Sequence, residues 1–130
     1  MSSGPPKHPF GKLICLHFSA RPSEGKAACW LEAGEHLHNP GGVLHGGVVF
    51  SMADTVMGAA LYSLLPPGHF TTTIEIKINY LQPVISGRLD CTCKVLHHND
   101  TMGVIESEVR SEAGLVATAL GTFAILKARK

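Results

Sequence analysis

Asp54 is the residue whose type and position best suit acid–base or nucleophilic chemistry. It carries the only formal charge between Glu35 and Glu75, and it lies inside an apolar run over residues 48–65. A carboxylate in apolar surroundings is unfavourable unless it is paired or hydrogen-bonded. Acids held in such places concentrate at functional sites, where they accept a proton or attack a carbonyl carbon. The isolated acid is therefore a candidate catalytic group.

The glycines of the sequence His45-Gly46-Gly47 lie just before this run, and their backbone N–H groups are candidates to act together with Asp54 in one site. Glycine at a helix N-terminus lets a substrate approach the backbone closely. The first N–H groups of a helix have no partner within the helix, and the positive end of its dipole lies behind them. They can therefore hold the oxygen of a polarised carbonyl. The alternative, which the sequence leaves open, is that the two glycines only allow a tight turn.

The spacing between Gly46 and Asp54 has a consequence for assembly. The two residues are eight positions apart, which is about 12 Å along a helix axis at ~1.5 Å per residue. One carbonyl group cannot contact both residues within one subunit. If both act on the same carbonyl, the acid comes from another copy of the chain. The spacing then predicts a homodimer with antiparallel helices and sites shared across the interface.

The elements that must hold these residues follow from turn signals and hydrophobic periodicity. Residues 1–10 are expected to be a loose N-terminus before a single domain over residues 11–127. We predict a strand over residues 12–18, a hairpin partner over 26–31 and a buried helix over 46–65 that ends at a Pro-Pro-Gly sequence. Alternating apolar residues predict four further strands, over 74–80, 88–95, 102–110 and 115–126. An antiparallel meander of these strands, wrapped around the helix, gives an α+β fold.

Composition limits the classes of partner and compartment. The chain has 130 residues, of which 45% are hydrophobic and only 16% charged, and the low charge suggests a surface covered by a second subunit. A net charge of +1, with its basic cluster confined to the last few residues, argues against nucleic acid. Asp54 near the middle of the apolar run argues against a membrane span.

We expect no signal peptide and therefore a cytoplasmic protein with free thiols. Cys91 and Cys93 are two positions apart in a predicted strand, so we expect both on its core face.

Metal and other cofactors are not expected. The histidines at positions 36, 38, 97 and 98 lack the compact spacing of a metal-binding motif.

The residues above, read in order, resemble the hotdog-fold thioesterases. Asn39, His45-Gly46-Gly47 and Ser51-Met52-Ala53-Asp54 match the phenylacetate-pathway (PaaI-like) acyl-CoA thioesterase group, and segments 73–83 and 116–123 match it too. The resemblance covers about residues 12–126. It implies an α+β hotdog fold, a curved antiparallel sheet of about six strands wrapped around one long central helix. It also implies hydrolysis of an acyl-CoA thioester to a carboxylic acid and free CoA.

The resemblance further implies roles for individual residues. The Gly46 amide polarises the thioester carbonyl, and Asn39 helps to orient the substrate. Asp54, from the opposite subunit, acts as nucleophile or as general base to water, and the sequence does not decide between these roles.

Other residues are expected to bind substrate or support the acid. Thr73 supports the acid or the attacking water, while His45, beside Gly47, braces the loop rather than transferring protons. CoA also needs cations for its phosphates, and Lys94 and His97 are candidates near a strand end and a turn. An ordinary solvated surface is the alternative for both.

Two other functions remain open at this stage. The same fold includes hydratases and dehydratases that act on acyl chains, and these enzymes release no free thiol from acyl-CoA. A non-catalytic acyl-CoA-binding protein is the second alternative. The acyl group, and the choice between a dimer and a tetramer, cannot be read from the sequence.

Overall fold

One long helix, α2 (Gly46–Tyr62), packs against a six-stranded antiparallel sheet in the computed structural model, which describes residues 8–128. The other elements are α1 (Pro9–Leu13), β1 (His17–Phe18), β2 (Lys26–Ala33), a short 3-10 helix (Glu35–Leu37), β3 (His69–Tyr80), β4 (Gly87–His98), β5 (Met102–Ser111) and β6 (Gly114–Lys127). Helix α2 contacts every strand from β2 to β6, so the sheet curves around it as expected for the hotdog fold. Within residues 8–128, no helix is long and apolar enough to cross a membrane.

Helix α2 buries one face against the sheet and leaves the other open. The buried side chains recur at helical spacing and are Val48, Val49, Met52, Ala53, Val56, Met57, Ala60 and Leu61. The opposite face carries half-buried Phe50 and Asp54 and the exposed Tyr62. The prediction of a buried helix is therefore correct for one face only, because the sheet of a single chain covers one side. The helix begins at Gly46 as predicted and ends three residues earlier than predicted.

The strand order is β1-β2-β4-β5-β6-β3, which corrects part of the predicted meander. Strands β4, β5 and β6 follow each other as expected, but β3 pairs with β6 at the far edge and not with β4. Since β3 and β2 lie towards opposite edges and both contact α2, this order lets the sheet close over the helix from two sides. A bulge between Thr73 and Glu75 interrupts the β3–β6 register.

The predicted strand over residues 12–18 is wrong for residues 12–16, and only residues 17 and 18 form a strand. Proline at the start of α1 favours a helical turn, and His8 Nδ1 accepts the Gly11 N–H as the cap of that turn. Cys15 then turns the chain at a φ of 55°, so that only β1 remains to pair with β2. Residues 1–7 of the expected loose terminus lie outside the described residues, and residues 9 and 10 belong to α1.

The inner face of β4 carries Cys91 and Cys93, both buried and both free thiols, which confirms their predicted place in the core. Cys29 lies opposite Cys91 in β2. Burial raises the pKa of Cys93 to about 12. The hydrogen bond with Cys91 and burial together raise the pKa of Cys29 as well.

The raised pKa of Cys93 predicts a loss of stability in alkali. An unfolded thiol ionises near its ordinary pKa of 9.0, whereas the folded thiol stays protonated up to about pH 12. The folded state binds the extra proton in this window, so the free energy of unfolding falls by up to about 1.4 kcal/mol per pH unit as pH rises through it. Urea unfolding between pH 8 and about 11 measures this slope, and Cys93→Ala should flatten it. Cys15→Ala, at an exposed thiol, is the control, and equal slopes in Cys93→Ala and the wild type would contradict the prediction.

Candidate active site

Asp54 lies on the open face of α2, where Thr73 orients its carboxylate. Thr73 is at the bulge of β3 and donates a hydrogen bond from Oγ1 to Asp54 Oδ1 at 2.5 Å. No other residue in the described part of the chain hydrogen-bonds this carboxylate. The acid is thus half-buried and held by one oxygen, and Oδ2 is free to act on a substrate.

An open pocket of about 930 Å³ lies in front of Asp54. Gly58, one turn further along α2, widens the pocket because it has no side chain. Charged Arg21 and Glu24 are also among the lining residues. The apolar residues that line the pocket are Phe18, Pro22, Ala59, Leu65, Phe70 and Phe123. A pocket that combines apolar side chains with a carboxylate and several hydroxyls suits an acyl group attached to a reactive carbonyl.

Gly46 provides a free backbone amide at the start of α2. The preceding His45 caps the helix, because its Nδ1 accepts the Gly47 N–H at 2.8 Å. Among residues 8–128, no acceptor for the Gly46 N–H is present. The amide opens beside a cleft of about 270 Å³, whose other lining residues include Val49, Gln82 and Val116. A free N–H at a helix N-terminus can stabilise an oxyanion.

Gly46 and Asp54 line different cavities of the chain. The cleft beside Gly46 contains no part of Asp54, and the pocket in front of Asp54 contains no part of Gly46. Both residues belong to α2, eight positions apart, so a carbonyl bound at one cannot contact the other within this chain.

Asn39 already uses its side-chain oxygen inside the loop before α2. Asn39 Oδ1 accepts the N–H groups of Gly41 at 2.8 Å and Val43 at 3.4 Å. An asparagine that bonds the backbone two residues on stabilises a turn. Asn39 lines neither of the two cavities, so within one chain it stands apart from Asp54, with only its amide NH₂ available.

Lys94 and His97 lie on β4 and line neither of these two cavities. Lys94 pairs with Glu106, Nζ to Oε1, at 3.5 Å and lines a separate depression of about 480 Å³. His97 is exposed at the register shift near the end of β4. Neither residue is therefore among those that surround Asp54 or Gly46 in their cavities.

Tyr80 is a residue near the site that sequence reasoning missed. We expected it only as the last apolar position of an alternating strand. Its hydroxyl donates a hydrogen bond to the Gly46 carbonyl oxygen at 2.7 Å. Partial burial of the hydroxyl raises the pKa of Tyr80 above its ordinary value of 10.0, and a tyrosine with either pKa is a hydrogen-bond donor at neutral pH. No local signal marks this contact, because it depends on where β3 lies relative to α2.

Metal-binding residues do not converge in the described part of the chain, where no three His, Cys, Asp or Glu side chains form a candidate metal site. The groups identified above as able to act on a substrate are the Asp54 carboxylate and the Gly46 amide, each with a hydroxyl bonded beside it.

Comparison with known proteins assigns the family. The model of the Thioesterase superfamily matches residues 41–118. A 1,4-dihydroxy-2-naphthoyl-CoA hydrolase of Listeria monocytogenes is 30% identical over 108 residues, which are 82% of this chain and 88% of that protein. A conserved protein of Pseudomonas aeruginosa has a solved structure that covers 92% of this chain and 95% of its own, with a TM-score of 0.87 and 38% identity.

A thioesterase structure from Haemophilus influenzae gives a TM-score of 0.85, covering 93% of this chain and 85% of its own. At 23% identity it supports the fold alone. With the fold, the family match and the relatives agreeing, this chain belongs to the thioesterase superfamily and is a thioester hydrolase of the hotdog fold.

Proposed function

We propose that this protein is an acyl-CoA thioesterase of the phenylacetate-pathway (PaaI-like) group, which hydrolyses an acyl-CoA to a carboxylic acid and free CoA. The main support is the Asp54 carboxylate, which Thr73 orients in front of a partly apolar pocket of about 930 Å³. The relative from Listeria monocytogenes, whose name gives a CoA thioester as substrate, supports CoA as the thiol carrier.

In the proposed reaction the thioester oxygen accepts the Gly46 N–H while Asp54 acts at the carbonyl carbon. As a general base, Asp54 removes a proton from water, the resulting hydroxide adds to the carbon, and the C–S bond breaks as CoA leaves and takes a proton. As a nucleophile, Asp54 adds to the carbonyl carbon, and the C–S bond breaks as CoA leaves and takes a proton. Water then hydrolyses the resulting mixed anhydride to the carboxylic acid and free Asp54. Thr73 holds Oδ1 in either case, which leaves Oδ2 to react.

We place the two halves of each site in different subunits of a homodimer. Gly46 and Asp54 line separate cavities, and an antiparallel pair of α2 helices would bring one cavity of each subunit together. Edge strand β3 and the open face of α2 expose apolar side chains, with Tyr62 at 54% and Ile74 at 58%. Strand edges with unpaired backbone groups favour pairing with another chain. A tetramer built from two such dimers is compatible with the same site.

The remaining residues complete the proposed site. Asn39 would orient the substrate through its free amide NH₂. His45 would brace the loop through the hydrogen bond that its Nδ1 accepts from the Gly47 N–H. Lys94 and His97 remain our candidates for the CoA phosphates. Since neither lines the two cavities of one chain, CoA would extend beyond these cavities to reach them.

Release of free thiol from a panel of acyl-CoA substrates tests this function. The panel contains acetyl-, octanoyl-, benzoyl-, phenylacetyl- and 1,4-dihydroxy-2-naphthoyl-CoA together with one enoyl-CoA, crotonyl-CoA. A thiol-reactive dye follows the release of CoA, and loss of the enoyl absorbance follows hydration. We expect equal amounts of acid and thiol, with kcat/KM of at least about 10⁴ M⁻¹s⁻¹ for one substrate. Conversion of an enoyl-CoA without thiol release would favour a hydratase, and tight binding of all substrates without turnover would favour a carrier. Either result contradicts the proposal.

A further inference from the structure

We infer that Tyr80 is a positioning residue, which holds the Gly46–Gly47 peptide in place and thereby fixes the direction of the neighbouring Gly46 N–H. The inference rests on the proposed function in one respect, namely that this N–H stabilises the thioester oxygen.

The Gly46–Gly47 peptide is held at both of its polar ends. Its carbonyl oxygen accepts the Tyr80 hydroxyl at 2.7 Å, and its N–H donates to His45 Nδ1 at 2.8 Å. A peptide is planar, so two hydrogen bonds on opposite sides of it prevent rotation of the whole unit. The Gly46 N–H belongs to the preceding peptide, and the fixed Gly46–Gly47 peptide restricts the direction in which it points. This N–H has no acceptor of its own among the described residues.

Such support is needed because two consecutive glycines are conformationally free. Glycine lacks the Cβ that restricts φ and ψ in other residues. The first turn of a helix also lacks intrahelical partners for its N–H groups. An oxyanion donor is effective only when it is oriented before the reaction, so that no reorganisation is required in the transition state.

The contact between Tyr80 and Gly46 is also a steric match. A Cβ at position 46 would lie 3.3 Å from both Cζ and Oη of Tyr80, which is closer than ordinary side-chain contacts. Glycine at this position therefore lets the tyrosine ring lie directly against the backbone. Tyr80 comes from β3, the strand that also carries Thr73, so one strand orients both Asp54 and the Gly46 peptide.

Tyr80→Phe tests the inference because it keeps the ring and removes only the hydroxyl. We expect kcat to fall about tenfold and KM to change by less than about twofold, since misalignment of the oxyanion donor weakens the transition state more than substrate binding. Thermal unfolding and the dimer fraction are measured in parallel. Thr101→Val, which removes an exposed hydroxyl in the β4–β5 turn, is the control and should retain wild-type kcat.

A double-mutant cycle with Gly46→Ala gives a second, independent measurement. If the added methyl acts by displacing the Tyr80 hydroxyl, Gly46→Ala will lower kcat much less in the Tyr80→Phe background than in the wild type. Unchanged kcat in Tyr80→Phe, even with a lower unfolding temperature, would make the hydrogen bond purely structural and overturn the inference. If the double variant loses kcat by the product of the two single losses, the two residues are not coupled, and the inference is overturned as well. Failure of the proposed function is distinguishable, because the wild-type protein itself would then release no CoA.

Discussion

Asp54→Asn is expected to lower kcat for acyl-CoA hydrolysis by between about 10² and 10⁴-fold, the range that a positioned acid–base group contributes. The amide can neither accept the proton of water nor attack the carbonyl carbon. Its oxygen can still accept the Thr73 hydroxyl that bonds Oδ1 in the structure, so the local hydrogen bond and the fold are preserved. Thiol release with the best substrate measures the loss, and circular dichroism and thermal unfolding check the fold.

Asp100→Asn is the matched control for Asp54→Asn. Asp100 is exposed in the turn between β4 and β5, so the same chemical change there should leave kcat within about twofold of the wild type. Asp54→Asn activity within a few fold of the wild type would remove the acid from the mechanism. It would leave the pocket beside Thr73 as a binding feature only.

The two possible roles of Asp54 are separated by a single turnover in H₂¹⁸O. A general base directs solvent oxygen straight into the product acid, so the acid carries ¹⁸O in the first turnover. A nucleophile donates its own carboxylate oxygen when water hydrolyses the anhydride at the aspartyl carbon, so the first product carries ¹⁶O and the protein retains ¹⁸O.

The start of α2 and the position of Asp54 were predictable because their signals are local. The helix begins at Gly46 as predicted, since His45, two glycines and the following apolar residues are contiguous in the sequence. The apolar residues, however, do not show which face of the helix the sheet covers. The open face that carries Asp54 became visible only with the tertiary structure.

Contacts between β3 and α2 were not predictable from local patterns. Thr73 bonds Asp54, which is 19 positions earlier in the sequence. Tyr80 bonds Gly46, which is 34 positions earlier. Thr73 entered as a candidate through the family resemblance, whereas nothing local distinguished Tyr80 from any other aromatic residue in a strand. The position of β3 beside β6 decides both contacts, and strand order is a global property of the sheet.

Residue type also does not show whether a side chain already has a hydrogen-bond or ion-pair partner within the protein. Asn39 was expected to orient the substrate, but its oxygen closes the loop by accepting the Gly41 N–H. Lys94 was expected to attract phosphate, but it pairs with Glu106. Such partners reduce what a side chain can offer to a ligand, and only the structure identifies them.

Mixing two inactive variants is expected to restore activity if each site is shared between subunits. Asp54→Ala lacks the acid, and Gly46→Val places a side chain against Tyr80 and blocks the oxyanion position. A mixed dimer contains one site that combines Gly46 of the first variant with Asp54 of the second, and one site with both defects. Random exchange of equal amounts gives mixed dimers as about half of the population, and hence about a quarter of the wild-type sites. Thiol release after subunit exchange measures the recovery.

Two different affinity tags allow the mixed dimer to be purified away from both parents. The purified mixed dimer should then show about half of the wild-type activity, because one of its two sites is intact. If each site is confined to one subunit, every site in the mixture retains a defect and no activity returns, even though exchange is verified by both tags. The physical reason to expect recovery is the separation already seen in one chain: Gly46 and Asp54 line different cavities, so a single carbonyl can contact both only across a subunit boundary.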